Sequence, residues 1–290
     1  MKVLTLIVSY NFEPWLRRCL DSVLASRQPT DILVVDNGST DRTVARLKAE
    51  YRQVRLIDNG RNLGFGQANN LGLRLALREG YDHVFLLNQD AWIAPDVIGT
   101  LCTLALRHPD YGILSPVHLD GSGRQPDHGF AAYTHWQPAL AAGADEVIEC
   151  PFINAAFWLL PATTLRRIGG FSPLFYHYGE DKDYVNRVHR HGLKVGYSPR
   201  VTACHDRARR TPDRQAFLRT ERVYHLSEYA NPNHSLLRGF LLGPLAAARK
   251  ALSACPADYL RMACTLLGQT PQVIRTRRVN LRQQPNYLLP

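Results

Sequence analysis

The 290-residue sequence contains no Cys-x-x-Cys pair, and its six scattered cysteines (Cys19, Cys102, Cys150, Cys204, Cys255 and Cys264) have no histidine at zinc-finger spacing. That pattern argues against a structural zinc and for a reducing compartment. No stretch reaches the roughly 20 apolar residues that a bilayer-spanning helix needs. The best candidate, Leu236 to Leu252, is broken by Arg238, Gly239, Gly243, Pro244 and Arg249. The opening MKVLTLIVSYN has too short an apolar run for a signal peptide and no small-residue cleavage site, so it reads as a first strand. A cytoplasmic protein is expected. Internal repeats and low-complexity segments are also missing.

What is present is a globular composition, 45% hydrophobic and 21% charged, with a net charge of +10. The charge is unevenly placed. Residues 1–206 hold 21 basic and 21 acidic side chains, whereas residues 207–290 hold 14 and 4, so the tail carries the whole excess.

VLTLIVS (Val3 to Ser9) and DILVVD (Asp31 to Asp36) are β-branched runs without alternation, as expected of parallel strands buried on both faces. Between them Trp15, Leu16, Cys19, Leu20, Val23 and Leu24 recur at helical spacing. Further strands are expected at Val54 to Ile57 and His83 to Leu87, with helices at Thr40 to Tyr51 and Gln67 to Arg78. Such alternation predicts an α/β fold with a doubly wound, mostly parallel sheet and helices on both faces. From Gly112 to Pro161 the sequence reads as loops around one further strand in Pro151 to Leu160. Thr211-Pro212-Asp213 reads as the start of a helix, with Thr211 as the cap.

In doubly wound sheets ligands bind beyond the carboxyl ends of the strands. The segments there are SYNFE, DNGSTD, DNGRNLGFG and NQDA. DNGSTD alone would serve as a turn and helix cap, but Asp36 at a strand end can also accept the imide N–H of uracil or thymine. Asp90 could hold Mg²⁺ or Mn²⁺. Glu180, Asp181 and Asp183 crowd the start of a helix running to about His191, where the macrodipole favours acids whatever their role; an acceptor-activating base is the functional reading. His205 ends the strand-like Val201 to Cys204.

Together SYN-x-E, DNGSTD, NLGFGQANNLGL, LLNQDA and GED-x-DY-x-x-R followed by His205 resemble the family 2 glycosyltransferases of the GT-A fold, most closely their bacterial rhamnosyltransferase-like members. The likeness spans about Val3 to Leu226. It implies a catalytic domain over 1–230, with a nucleotide-sugar half to about 110 and an acceptor half over 111–230, followed by a helical basic extension over 231–290. It implies an inverting transfer of a sugar, rhamnose by preference, from a dTDP- or UDP-sugar to a hydroxyl of a glycan or lipid-linked glycan in bacterial surface polysaccharide synthesis.

By the same likeness Asp181 is the base. Ser9, Tyr10, Asn11, Glu13, Asp36, Asn37, Arg61, Asn62, Gly64, Asn70, Asn88 and Gln89 line the donor site. Asn154, Trp158 and Glu180 lie on the acceptor side, and Asp90 and His205 meet a divalent metal, Mg²⁺ or Mn²⁺. Asn88 departs from the Asp-x-Asp pattern by putting a neutral amide at its first acidic position, so metal binding would rest on Asp90.

Other classes fit less well. A Rossmann dehydrogenase would carry G-x-G-x-x-G after its first strand, and a nucleotidyltransferase a Gly-rich basic loop there; SYNFEP is neither. A non-catalytic nucleotide-sugar or glycan-binding module of the same fold is the alternative. The arginines of the tail suit an anionic surface, and Leu237, Phe240, Leu241, Leu245, Ala248 and Leu252 recur at helical spacing beside Arg238, Arg249 and Lys250. A helix at a membrane interface and one packed on the catalytic domain would both read this way. Nucleic acid is not an expected partner, because no nucleic-acid-binding module accompanies the arginines.

Overall fold

The computed structural model describes residues 1–136, 146–207, 213–252 and 256–289. Its first half runs β1 (Val3–Ser9), α1 (Leu16–Leu24), β2 (Asp31–Asp36), α2 (Thr43–Glu50), β3 (Arg55–Asp58), α3 (Phe65–Arg78) and β4 (His83–Asn88). These strands lie parallel in the order β3-β2-β1-β4. Side chains in β1 split by the two-residue period: Val3 and Ile7 join the core beneath α1, while Leu4 and Leu6 join the core beneath α3. Both faces are covered, so neither tolerates the polar alternation of a half-exposed strand.

Two helices show how the sequence fixes the layers. In α1 the buried residues are Leu16, Cys19, Leu20 and Val23, a single stripe at i, i+3, i+4 and i+7; Leu24 falls off that stripe and is exposed. In α3 a Cβ on Gly72 would come within 2.4 Å of the Leu6 side chain, so the bare backbone lets the helix sit close on β1.

The second half is mixed. It comprises β5 (Ala91–Ile93), α4 (Val97–Arg107), β6 (Tyr111–Asp120), α5 (His128–Thr134), β7 (Ile148–Glu149), β8 (Phe157–Pro161), α6 (Ala162–Ile168), α7 (Glu180–Arg190), β9 (Lys194–His205) and α8 (Arg214–Ala230). The sheet continues β4-β8-β6-β9-β5, with β8 antiparallel to both neighbours, β6 and β9 parallel, and β5 and β7 antiparallel to β9.

The expected loops of Gly112 to Pro161 are thus corrected. Most of β6, ten residues long, lies there, together with α5 and β7. Gly112 and Pro116 disguise β6, and Pro116 sits where its pairing with β9 shifts register, the kind of irregularity that tolerates a strand proline. The cap of α8 is also corrected: Asp213 accepts the backbone N–H of Ala216, and Thr211 and Pro212 lie outside the described residues.

The chain continues through α9 (Leu236–Phe240), a π-helical turn (Leu241–Leu245), α10 (Ala246–Lys250), α11 (Pro256–Gly268) and α12 (Thr270–Asn280). A third apolar cluster joins Leu226, Tyr229 and Ala230 of α8 to Ala247, Tyr259, Met262, Leu266 and Val273, so it spans both sides of residue 230. Both readings of Leu236 to Leu252 find a face. Gly239, Gly243 and Ala247 are buried, with Gly239 and Gly243 against Tyr229, while Leu236, Leu237, Phe240, Leu241, Leu245 and Leu252 are exposed. Among the described residues no helix is long and apolar enough to cross a membrane.

Candidate active site

The strand register brings the motifs to one edge. Ser9 pairs with Asp36, Asp36 with Asp58, Val8 with Asn88, Leu87 with Phe157, and both Asp120 and Ala91 with His205. Because β8 runs antiparallel, its leading residues Asn154 to Ala156 reach this edge too. The strand-end segments singled out from sequence therefore share one edge of the sheet, where this fold class binds ligands.

The nucleotide loops are more internally bonded than their sequence suggests. Asp36 is fully buried: Oδ1 accepts the Ser9 and Ser39 hydroxyls at 2.8 and 2.5 Å, and Oδ2 accepts the backbone N–H groups of Gly38 and Ser39 at 3.1 and 2.8 Å. A carboxylate offers about four acceptor positions, and all four are filled. In this structure Asp36 clamps its own loop to the end of β1.

Asn37 is likewise spent inside the protein. It donates to Asn62 Oδ1 and the Gly64 carbonyl and accepts from Asn59 Nδ2 and the Leu63 N–H, which ties DNGSTD to the NLG loop. Gly64 has φ +79°, and a Cβ there would lie 2.1 Å from the Tyr176 carbonyl oxygen, so only glycine fits. Asn11 (φ 52°) receives the Thr40 N–H on its side chain and donates its own N–H to Ser39 Oγ.

Tyr10 and Gln89 bond reciprocally, backbone N–H to Oε1 at 2.8 Å and Nε2 to carbonyl at 3.1 Å, while the Tyr10 side chain is left exposed. Glu13 pairs with Arg42, and Arg61 is exposed.

Asn70 and Trp158 do not face the cleft. Asn70 bonds the backbone N–H and carbonyl of Phe171 at 2.7 and 2.8 Å and is buried. Trp158 lies fully buried between Phe171 and Tyr184. Asn70 fastens α3 to the segment leading into α7, and Trp158 packs in the core.

At the far side of the cleft, His205 Nε2 lies 3.2 Å from Asp90 Oδ1 and 3.3 Å from the Asn88 side-chain amide. Arg207, which sequence reasoning placed only in the basic cluster, donates from Nε to His205 Nδ1 at 3.1 Å. An arginine Nε is always a donor, so Nδ1 accepts, while Nε2 faces both the Asp90 carboxylate and the Asn88 side-chain amide. The two expected metal residues, Asp90 and His205, thus stand side by side, and the Asp90 carboxylate has the oxygen chemistry that suits a hard divalent ion. Among the described residues no group of three or more His, Cys, Asp and Glu side chains is gathered to hold an ion. The signal for Arg207 was its position two residues past His205, on the same side of an extended chain.

Asp181 lies in the first turn of α7, next to Glu180. Burial raises the Asp181 carboxyl above its ordinary range, opposed by the N–H groups of Lys182 and Ala155 and the charge of Arg207. Glu180 is pushed up to about 8, first by burial and then by the charge of Asp181, and its Oε2 has no hydrogen-bond partner. Asn154, nearly buried, also keeps an unpartnered Oδ1. Asp183 turns away from the cleft to bond Arg187 at 2.9 Å and Asn280 at 3.0 Å, so the third acid of the motif holds the helix from behind.

Residues 5–148 match the family model described as glycosyl transferase family 2. The chain is a family 2 glycosyltransferase. An N-acetylglucosaminyl-diphospho-decaprenol L-rhamnosyltransferase of Mycobacterium tuberculosis is 28% identical over 237 residues, covering 70% of this glycosyltransferase and 76% of the relative. The solved structure of S. aureus TarS 1-349 with UDP-GlcNAc matches 97% of the chain and 84% of its own at TM-score 0.59 and 13% identity. The mannosyltransferase PcManGT of Pyrobaculum calidifontis, solved with GDP-Man and Mn²⁺, matches 96% of the chain and 73% of its own at TM-score 0.53 and 20% identity. These likenesses show the GT-A fold.

Proposed function

We propose that this glycosyltransferase inverts configuration in a single displacement, taking a sugar from a pyrimidine nucleoside diphosphate, rhamnose from dTDP-rhamnose by preference, to a hydroxyl of a lipid-linked glycan. The observation that carries the reading is the placement of Asp181. It stands at the mouth of α7, on the same edge as the strand-end donor loops, and feels the charge of the arginine that holds the Asp90–His205 corner.

Asp181 accepts the acceptor's proton at a carboxylate oxygen as the acceptor oxygen attacks, and burial, by raising its carboxyl above the ordinary range, makes it a stronger base than a solvated aspartate. Burial and the charge of Asp181 favour the protonated form of Glu180, which would set a hydrogen-bond donor beside Asp181. The exposed Tyr10 ring gives the base a flat surface, and the bonded DNGSTD and NLG loops hold the diphosphate path rigid. A divalent ion held by Asp90 would add positive charge at the departing diphosphate.

The rhamnose preference and the lipid-linked acceptor are supported by the Mycobacterium tuberculosis relative, whose name carries both. The exposed leucines and Phe240 of α9 and the following turn, beside Arg238 and Arg249, suit contact with an anionic bilayer holding such an acceptor.

The test is a panel of dTDP-, UDP- and GDP-sugars measured for binding and for slow hydrolysis without acceptor. Tightest binding and fastest hydrolysis of dTDP-rhamnose support the reading, UDP-sugar preference corrects the donor, and binding of none refutes it. Sedimentation with anionic and neutral vesicles tests the membrane contact, which fails if neither brings the protein down.

A further inference from the structure

We infer that Arg207 is a built-in cation of the diphosphate corner: it binds the donor's diphosphate directly, so that the nucleoside diphosphate is held even before a divalent ion joins Asp90. The inference rests on the donor site proposed above and deepens it.

Arg207 is held at one edge and open at another. Its Nε bonds His205 Nδ1 at 3.1 Å, and its Nη1 lies 3.5 Å from Asp127 Oδ1. Asp127 is itself fixed, nearly buried and accepting the Phe130 N–H at 2.9 Å as the cap of α5. A Cβ on Gly129 would lie 2.8 Å from Nη1, so α5 passes close under the guanidinium with no side chain between. Even so the arginine side chain keeps 25% of its surface exposed, while its partner Asp127 keeps 6%.

Charge and position agree. The first position of the Asp-x-Asp pattern is neutral Asn88, which lowers the negative charge that would draw a cation in. The hydrogen bond from Arg207 fastens His205 from its Nδ1 side, which fixes the guanidinium beside the Asp90–His205 contact. The charge of Arg207 reaches Asp181 as well, so the guanidinium lies close enough to the proposed base to act on it. A planar guanidinium pairs with phosphate oxygens through two parallel hydrogen bonds and stays charged at any working pH. Attached to the chain, it remains in the site when the product leaves.

A purely structural Arg207, one that only orients His205, would affect nucleoside and nucleoside diphosphate binding alike. Calorimetric titrations in EDTA of wild type, Arg207→Gln and Arg207→Ala with dTDP and thymidine, and with UDP and uridine, separate the two roles. The expected result is diphosphate binding by wild type in EDTA, weakened about 10- to 100-fold in both variants, with nucleoside affinity within about twofold of wild type. Arg207→Gln keeps a donor for His205 without the charge, so an equal loss in both variants assigns the effect to charge. The inference is overturned if either variant binds the diphosphate in EDTA as wild type does, if nucleoside affinity falls in step, or if wild type requires Mn²⁺ or Mg²⁺ to bind the diphosphate. Wild type that binds neither diphosphate, with metal or without, instead refutes the donor-site reading on which the inference stands.

Discussion

Replacing Arg187 with methionine removes a cation from a place where nothing else can take its charge. Arg187 and its partner Asp183 are 0% and 2% exposed as side chains. The guanidinium bonds Asp183 Oδ2 at 2.9 Å, the Ile168 carbonyl at 2.9 Å and the Gly170 carbonyl at 2.7 Å. Methionine fills much of the volume but leaves Asp183 with Asn280 as its remaining partner and strips two buried carbonyls of theirs. Breaking one side of a buried pair costs about 3–5 kcal/mol. For a chain of this size that is a fall in Tm on the order of 10 °C.

The loss should depend on pH. Burial already raises the Asp183 carboxyl despite Arg187, and losing the arginine raises it further. A carboxyl whose folded value is raised destabilises the fold increasingly as pH climbs above the unfolded value of about 4. Thermal unfolding of Arg187→Met should therefore show a larger deficit against wild type at pH 8 than at pH 5, and the double variant Asp183→Asn/Arg187→Met should recover part of it. A deficit below about 1 kcal/mol at pH 8, or one equal at both pH values, refutes the reasoning.

Glu180→Gln should unfold at the same temperature as wild type near pH 4 and at a higher one at pH 8.5. The wild-type carboxyl, pushed up to about 8, lowers stability as pH rises from its unfolded value toward that figure, and glutamine has no such charge to bury; parallel pH profiles of Tm would count against this. Gly64→Ala should lower stability by at least about 1–3 kcal/mol and weaken donor binding, because the new methyl meets the Tyr176 carbonyl in a left-handed backbone conformation. Unchanged urea midpoints and donor Kd would contradict it.

The nucleotide half of the sheet was readable from sequence because β1, β2 and β4 are buried on both faces and announce themselves as unbroken apolar runs. β6 was hidden because Gly112 and Pro116 break its pattern at the place where its pairing with β9 shifts register. Strand-end position pointed to the edge where the motifs meet, since a parallel sheet sends every carboxyl end to one edge. Position did not reveal what each side chain bonds. Asp36 accepts the hydroxyl of Ser9, 27 residues away, and three donors of its own loop, a set that only the fold assembles. Asp183 was read with the acids around Asp181, yet it faces inward to Arg187. Arg207 looked like part of a basic tail because its partners, Asp127 and His205, come from a distant helix cap and a strand end that only the fold unites.

A base that removes the acceptor proton is needed for transfer and not for donor binding, so donor affinity and sugar transfer are measured side by side for wild type and Asp181→Asn. With Asp181 as that base, the variant keeps the donor Kd while turnover falls about 10²- to 10⁴-fold, the range expected for a general base. Transfer by Asp181→Asn at near the wild-type rate would contradict that assignment.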